Sequence, residues 1–334
     1  MKKIIAFFLF LLFLFSFCSC GERKYTAYSF DYFDTVTTVI GYAQNQWEFN
    51  EIKDRIFSEL SGYHHLFDIY QTYEGTENLC TLNQNRSINA DPRILDMLSY
   101  AKEMYQKTNG KLNIAMGSVL SIWHDYREIG KELPPFEVLT EASLHVNIEN
   151  LIVDAENGTV TLTDPDMLLD VGAVAKGYAA EMTAKILEEE GITGYIINVG
   201  GNVRTIGTRA DGKSWNVGIE NPLEDSEDCL AYLSLSGESL VTSGFYQRYY
   251  TVDGKNYHHI IDPETLMPSE YFLSVSVVCS DSAEADALST ALFCMPFEEG
   301  LALIESLPKA EAIWLFADGT KKTSSGFSVY TNKR

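Results

Sequence analysis

The chain has 334 residues, 46% of them hydrophobic and 12% aromatic, which is enough apolar material for one large domain or two smaller ones. Its 25 Lys and Arg against 47 Asp and Glu leave a net charge of -22. This argues against a nucleic-acid partner, which needs a basic face, and means that an anionic substrate must be met by a metal or by local backbone dipoles.

Met1-Lys-Lys followed by apolar Ile4 to Phe17 has the charged start and short apolar run of a secretory signal, expected over residues 1–19. The run is too short to span a bilayer comfortably. Phe17-Cys18-Ser19-Cys20-Gly21 looks like a lipoprotein processing site, with Cys20 as the lipidated residue and Phe17 where a Leu is usual. Residues 20–27 are then a lipid-anchored tether, and 28–334 the working domain on the extracytoplasmic face of the cell membrane. Ordinary secretion with cleavage nearby is the alternative. The remaining cysteines, Cys80, Cys229, Cys279 and Cys294, are widely spaced and form no Cys-x-x-Cys or Cys/His cluster, so zinc is not indicated.

Tyr28 to Tyr42 is rich in β-branched and aromatic residues and predicts a strand. Trp47 to Phe67 places Ile52, Ile56, Leu60 and Leu66 at helical spacing and delivers the chain to Tyr70, after which Gln71 to Ala90 reads as a polar surface loop. Asp91-Pro92 opens the next helix with a capping side chain and a first-turn proline, and Asn109-Gly110 closes it. Lys111 to Trp123 is small and apolar. Asn157-Gly158 predicts a hairpin between Leu151–Val153 and Thr159–Leu162. From Leu168 an apolar run enters Asp170 as a short strand, Gly172 and Ala173 make a turn, and helical spacing resumes through Ala179, Met182 and Ile186. Helix-start amides without internal partners and little side-chain bulk make such a turn a place where an anion approaches backbone.

Further strands are expected at Tyr195–Val199, Trp215–Ile219, Leu230–Leu235, Leu240–Thr242, Gln247–Val252 and Val275–Cys279, with a helix over Asp281–Phe293 and a last hairpin at Asp318-Gly319. No repeat or linker divides the chain. Hairpins mixed with packed helices predict an α+β fold, a single large domain of mixed, mainly antiparallel sheet.

Asp286 and Thr290 stand four apart, which puts two oxygens on one helix face, an arrangement suited to a hard cation such as Mg2+. Flanking Ala285, Ala287, Leu288 and Ala291 imply that this helix is packed, which makes an unpartnered Asp286 costly. Further on, His258 and His259 alternate between strand faces before Asp262-Pro263, making His259 a candidate acid/base group, with Asp262 and Asp170 as competitors.

Nine segments in order then resemble the FAD:protein FMN transferases, the ApbE family: Phe33-Asp-Thr-Val-Thr-Thr, Phe67-Asp-Ile-Tyr70 with Leu82-Asn83, Asn109-Gly-Lys-Leu-Asn113, Asp170-Val-Gly-Ala-Val-Ala-Lys-Gly-Tyr, Asn198-Val-Gly-Gly-Asn, Trp215-Asn-Val-Gly-Ile-Glu-Asn-Pro, Thr242-Ser-Gly, His259-Ile-Ile-Asp-Pro and Ala285-Asp-Ala-Leu-Ser-Thr. The resemblance implies a Mg2+-dependent transfer of FMN from FAD to a Thr or Ser hydroxyl of an extracytoplasmic acceptor flavoprotein, with release of AMP. It implies metal ligation by the Ala173 backbone and the Asp286 and Thr290 side chains. It also implies FAD contacts at Phe33, Tyr70, Lys111, Leu112, Asn113, Asp170, Lys176 and Ile261, with the Tyr70 ring stacking on the flavin. Asn113 stands where the family has Asp, Ala115-Met116-Gly117-Ser118 where it has Thr-x-Gly-Pro, and Leu266 where it has Gly. Two alternatives share the pocket: an FAD pyrophosphatase with water as acceptor, and a non-catalytic FAD-binding lipoprotein.

Overall fold

Along Thr35–Ala43, Thr37, Val39, Gly41 and Ala43 are buried while their neighbours are not, the period-two signature of a strand with one face in the core. It is one of eight strands, β1 to β8 in chain order: Arg23–Tyr32, Thr35–Ala43, Tyr195–Val199, Asn202–Ile206, Ser239–Gly244, Ser274–Cys279, Glu311–Leu315 and Lys321–Thr323. Their spatial order in the sheet follows chain order, and every neighbouring pair is antiparallel. The computed structural model describes residues 22–223, 228–246 and 248–331. The expected signal and Cys20 lie outside the described residues. The α+β class is as the sequence predicts.

The single strand expected over 28–42 is a hairpin. It folds back at Phe33 and Asp34, both with positive φ (55° and 49°), where a two-residue hairpin turn normally uses Asn-Gly. The Gln71–Ala90 stretch, expected as a loop, contains a helix at Leu79–Asn85 and a short strand at Ser87–Asn89. The apolar run beginning at Lys111 is also helical further on, over Gly117–Ile129.

The helices are α1 (Gln46–Phe67), α2 (Leu79–Asn85), α3 (Pro92–Lys107), α4 (Gly117–Ile129), α5 (Phe136–Ala142), α6 (Ala175–Glu189), α7 (Ser282–Phe293) and α8 (Phe297–Glu305). Asp91 caps α3 and Asp281 caps α7, each accepting a first-turn amide. α7 is buried nearly all round, as its alanines and leucines dictate, and lies against β5, β6 and α6. α6 in turn rests on β4, with α1 outside it. Glu181 and Arg204, 1% and 3% exposed, fasten this layer. Arg204 Nε donates to Glu181 Oε2 at 2.8 Å, and that oxygen also accepts the Ser282 amide at 2.7 Å, so α6, β4 and the start of α7 share one knot.

The opposite face of the sheet is covered by a hairpin of Trp215–Ile219 and Ala231–Leu235, whose Leu233 and Leu235 pack with Leu240, Val278, Ile313 and Leu315. A third apolar cluster joins Met116, Val119 and Trp123 to Tyr250, Ile261 and Leu266. All four described cysteines are free thiols.

Candidate active site

The stretch from Leu168 into α6 organises the site. Leu168–Asp170 belongs to no sheet, contrary to the expected strand. Side chain and backbone hold it instead. The Asn83 amide takes the Leu169 N–H (2.8 Å) and donates to the Leu169 carbonyl (3.0 Å), while Gly117 N–H reaches Leu168 O and Asp170 N–H reaches Ile114 O. Backbone groups satisfied this way need no ladder.

Beyond Asp170 the turn is tied by the protein's own groups. Gly172 N–H donates to Asp170 Oδ1 at 2.8 Å, Lys176 Nζ donates to Gly172 O at 3.0 Å, and Gly177 N–H donates to Asp286 Oδ2 at 2.8 Å. The expectation of helix-start amides free for an anion is thus corrected at Gly172 and Gly177, whose N–H groups serve Asp170 and Asp286. Lys176 supplies positive charge there, with Nζ 3.9 Å from Asp286 Oδ2.

Asp286 is 3% exposed. Burial pushes its carboxyl above the usual carboxylate range, opposed by Lys176, the Gly177 amide and the nearby Asn202 side chain. One turn along α7, Thr290 Oγ1 lies 3.4 Å from Ser243 Oγ, which is itself 2.9 Å from Ser289 Oγ. Gly177 N–H, the amide that would continue the helical pattern onto the Ala173 carbonyl, goes to Asp286, and no backbone hydrogen bond to that carbonyl is present among the described residues. A carboxylate, a hydroxyl and a spare carbonyl form an all-oxygen donor set, the chemistry a hard divalent cation takes. The residues present therefore fit Mg2+.

His258 and His259 part as strand alternation requires. His258 is buried, its Nε2 donating to Ser269 O at 2.7 Å and its ring set edge-on to Phe293. His259 turns to the site. Its backbone N–H and ring Nδ1 both address the Arg248 carbonyl, at 3.1 and 3.2 Å, which assigns Nδ1 as the protonated nitrogen and leaves Nε2 with its lone pair. Its surface is partly accessible, yet enclosing protein, followed by the Lys176 charge, drives its pKa down to about 3. The imidazole is neutral across the physiological range.

Asp262 does not share this position. It is 2% exposed, 3.1 Å from Lys111 Nζ, and its Oδ1 also accepts the Glu264 amide in the turn it opens. Burial works against the Lys111 charge, but Glu264 and Asp262 outweigh it and hold its pKa above the ordinary value. Asp262 is a buried structural ion pair, which corrects its expected catalytic role, and Lys111 is no free cation for a ligand. The Asn113 side chain is likewise spent, donating to Val146 O and accepting the Ala115 amide. Leu112 and Ile261 are buried.

Tyr70 is the opposite case, 60% exposed with its ring 5.5 Å from that of His124. Surrounding protein, then the Asp170 charge, push its phenol up to about 12, so it stays neutral. Asp170 is itself raised by burial, against the Gly172 amide, Lys176, His124 and Arg127. Phe33 reaches the same region from the β1–β2 turn, its amide donating to His64 Nδ1, while Arg248 donates to the neighbouring Asp34 carbonyl. Sequence reading missed His124, Arg127 and Arg248. The first two are three apart on α4, where Arg127 donates to His124 Nδ1 at 2.7 Å, and an i, i+3 spacing after Trp123 was the available signal. Arg127 and Arg248 act on Tyr70, and Arg127 and Lys176 on Asp170, so positive charge gathers at this point of an otherwise acidic protein.

Residues 33–314 match the sequence model of the ApbE family. The chain is 30% identical over 274 residues to an FAD:protein FMN transferase of Haemophilus influenzae, covering 79% of each, and 28% identical over 265 residues to one of Klebsiella pneumoniae, covering 79% of this chain and 82% of the relative. Among solved structures, the ApbE protein of Thermotoga maritima superposes with a TM-score of 0.83 at 26% identity over 93% of this chain and all of that one. The flavin transferase ApbE of Vibrio cholerae shares the fold at a TM-score of 0.78 and 24% identity, over 92% of this chain and 99% of that one.

Proposed function

This chain belongs to the ApbE family, and on that footing we propose that it transfers FMN from FAD to a Thr or Ser hydroxyl of a partner flavoprotein, releasing AMP. The observation that carries this reading is the buried Asp286 carboxylate with Thr290 one turn along the same helix, the Lys176 ammonium 3.9 Å from that carboxylate and the neutral His259 imidazole within reach of that ammonium's charge. Asp286, Thr290 and the Ala173 carbonyl would hold Mg2+, which when bound neutralises the pyrophosphate at which the displacement occurs. Lys176 adds a cation on the same side, and exposed Tyr70 offers a flat face to an aromatic ring.

His259 is suited to take the proton of the attacking hydroxyl. Its Nδ1–H is held by the Arg248 carbonyl, so the free nitrogen is the acceptor a base requires. His259→Gln is expected to slow transfer by about 10²–10⁴-fold, with FAD affinity, read by flavin fluorescence, little changed. The pH dependence has a definite sign. A histidine held near 3 rather than its ordinary 6.5 gives the parent rate no acid limb from His259 between about pH 5 and 7. It also favours the folded state above pH 6.5, and that contribution is lost as pH falls towards 3 because the unfolded chain takes the proton first. A parent rate that collapses around pH 6.5 would show that the imidazole is not depressed, and an undiminished rate in the Gln variant would remove His259 from this role.

The leader-like segment at the N-terminus supports a lipid anchor at Cys20 and an extracytoplasmic domain. The transferase reading is tested by incubating the protein with FAD, MgCl2 and an acceptor domain carrying an exposed Thr or Ser, followed by intact-mass analysis. The expected result is an acceptor heavier by one FMN. Free FMN and AMP with an unmodified acceptor supports hydrolysis instead, and FAD recovered unchanged supports storage.

A further inference from the structure

Asn202 opens β4 directly after the Gly200-Gly201 turn, paired with Val199, and is 2% exposed. Its side-chain nitrogen makes no hydrogen bond of good geometry among the described residues, although the side chain lies close enough to Asp286 to favour that carboxylate's charged form. Leaving a buried donor unmade costs about 1–3 kcal/mol, so such a group in a packed interior calls for an explanation. β4 underlies α6 and also touches α7, and the ionisable group that the Asn202 amide adjoins is the Asp286 carboxylate. Among the described residues that carboxylate takes a hydrogen bond of good geometry from Gly177 N–H, on Oδ2, with Lys176 farther off at 3.9 Å. A carboxylate has about four lone-pair directions, so room remains for a second donor and a cation.

We propose that Asn202 is a positioning residue for the metal ligand: its side-chain N–H closes onto the Asp286 carboxylate when the site is loaded and fixes the direction in which the carboxylate presents oxygen to the cation. The inference rests on the reading that Asp286 holds Mg2+. Gly177 and Asn202 then grip the carboxylate from two elements, α6 and β4, so that its orientation is fixed while the cation is bound. Hydrogen-bond partners of metal ligands act in this way generally, and their loss costs about 10–100-fold in metal affinity.

The test compares the parent with Asn202→Ala and Asn202→Leu, the second retaining the side-chain volume without a donor. Three quantities are measured: the MgCl2 concentration giving half-maximal thermal stabilisation of the FAD-loaded protein, FAD affinity in EDTA by flavin fluorescence, and the KM for Mg2+ against kcat. The expected result is a rise of about 10–100-fold in the first and in KM for Mg2+, with FAD affinity in EDTA unchanged and kcat recovered at saturating Mg2+. An unaltered Mg2+ dependence in both variants overturns the proposal. So does a matching loss of FAD affinity in EDTA, which would make the amide a ligand contact or a general support of the fold. Asp286→Asn, run alongside, separates the two levels. If it removes Mg2+ stabilisation while the Asn202 variants keep it, only the role of Asn202 fails. If the parent itself shows none, the metal reading fails and the proposal with it.

Discussion

Asp286→Asn is expected to lower Mg2+-dependent AMP release from FAD by about a thousandfold or more while leaving the protein at least as stable as the parent at neutral pH. The first half follows from charge. Neutralising the developing phosphate charge is worth several kcal/mol, and ~4 kcal/mol is about a factor of 10³ in rate. The second half follows from burial. Asp286 has its pKa raised by desolvation, so its contribution to stability is complete below the ordinary carboxylate pKa and is lost as pH rises through the raised value. Above the raised value the carboxylate therefore weighs against folding, and the isosteric amide removes that weight while its oxygen still accepts the Gly177 N–H. Thermal unfolding in EDTA and an AMP release assay check both halves. Undiminished, still Mg2+-dependent release in the variant would exclude Asp286 from the site, and a lower melting point would show that the carboxylate is structural.

Gly177→Ala should be the most damaging conservative change in the site. In most helix interiors this replacement gains up to about 1 kcal/mol, because glycine is the poorer helix former. Here a Cβ would press into Asp286 Cβ and the Ser282 carbonyl, far inside van der Waals contact, and one of those two atoms is backbone. Overpacking of this kind costs about 1–3 kcal/mol, occasionally more. The expected outcome is a melting point lower by several degrees, together with weakened Mg2+ binding, because α6 can relieve the clash only by moving away from α7 and withdrawing the amide that holds Asp286. A variant that melts at or above the parent temperature would refute the close α6–α7 approach.

Local chemistry made part of this fold readable. Asn157-Gly158 encodes its hairpin through a turn that only such residues make easily, and Asp91-Pro92 marks the start of α3 by capping and by proline's fixed φ. The β1–β2 hairpin escaped because Phe33 and Asp34 adopt left-handed backbone without the glycine or asparagine that signals it. The proposed metal-ligand set rests on the order of nine family segments together with the Asp286, Thr290 spacing. Asp262 was misjudged for a different reason: its partner Lys111 lies 151 positions away, and no spacing rule couples residues that only tertiary packing brings together. His124 and Arg127 were missed because α4 was not foreseen, and without a helix the two do not share a face. Asn202 stood in a quoted motif, but the unmade bond that distinguishes it exists only in three dimensions.

Lys176, Arg127 and Arg248 gather around Asp170 and Tyr70 in a chain with a net charge of -22. At long range FAD, an anion, meets repulsion, and the attraction takes over only within the last Debye length, about 8–10 Å at moderate salt. Added salt therefore acts in opposite senses on the two stages of binding. It lowers the outer barrier and quickens encounter, while it loosens the short-range hold on the phosphates. In the proposed reaction AMP would keep a negative charge and lack the flavin half of the contacts, so the same field that slows entry would favour its departure.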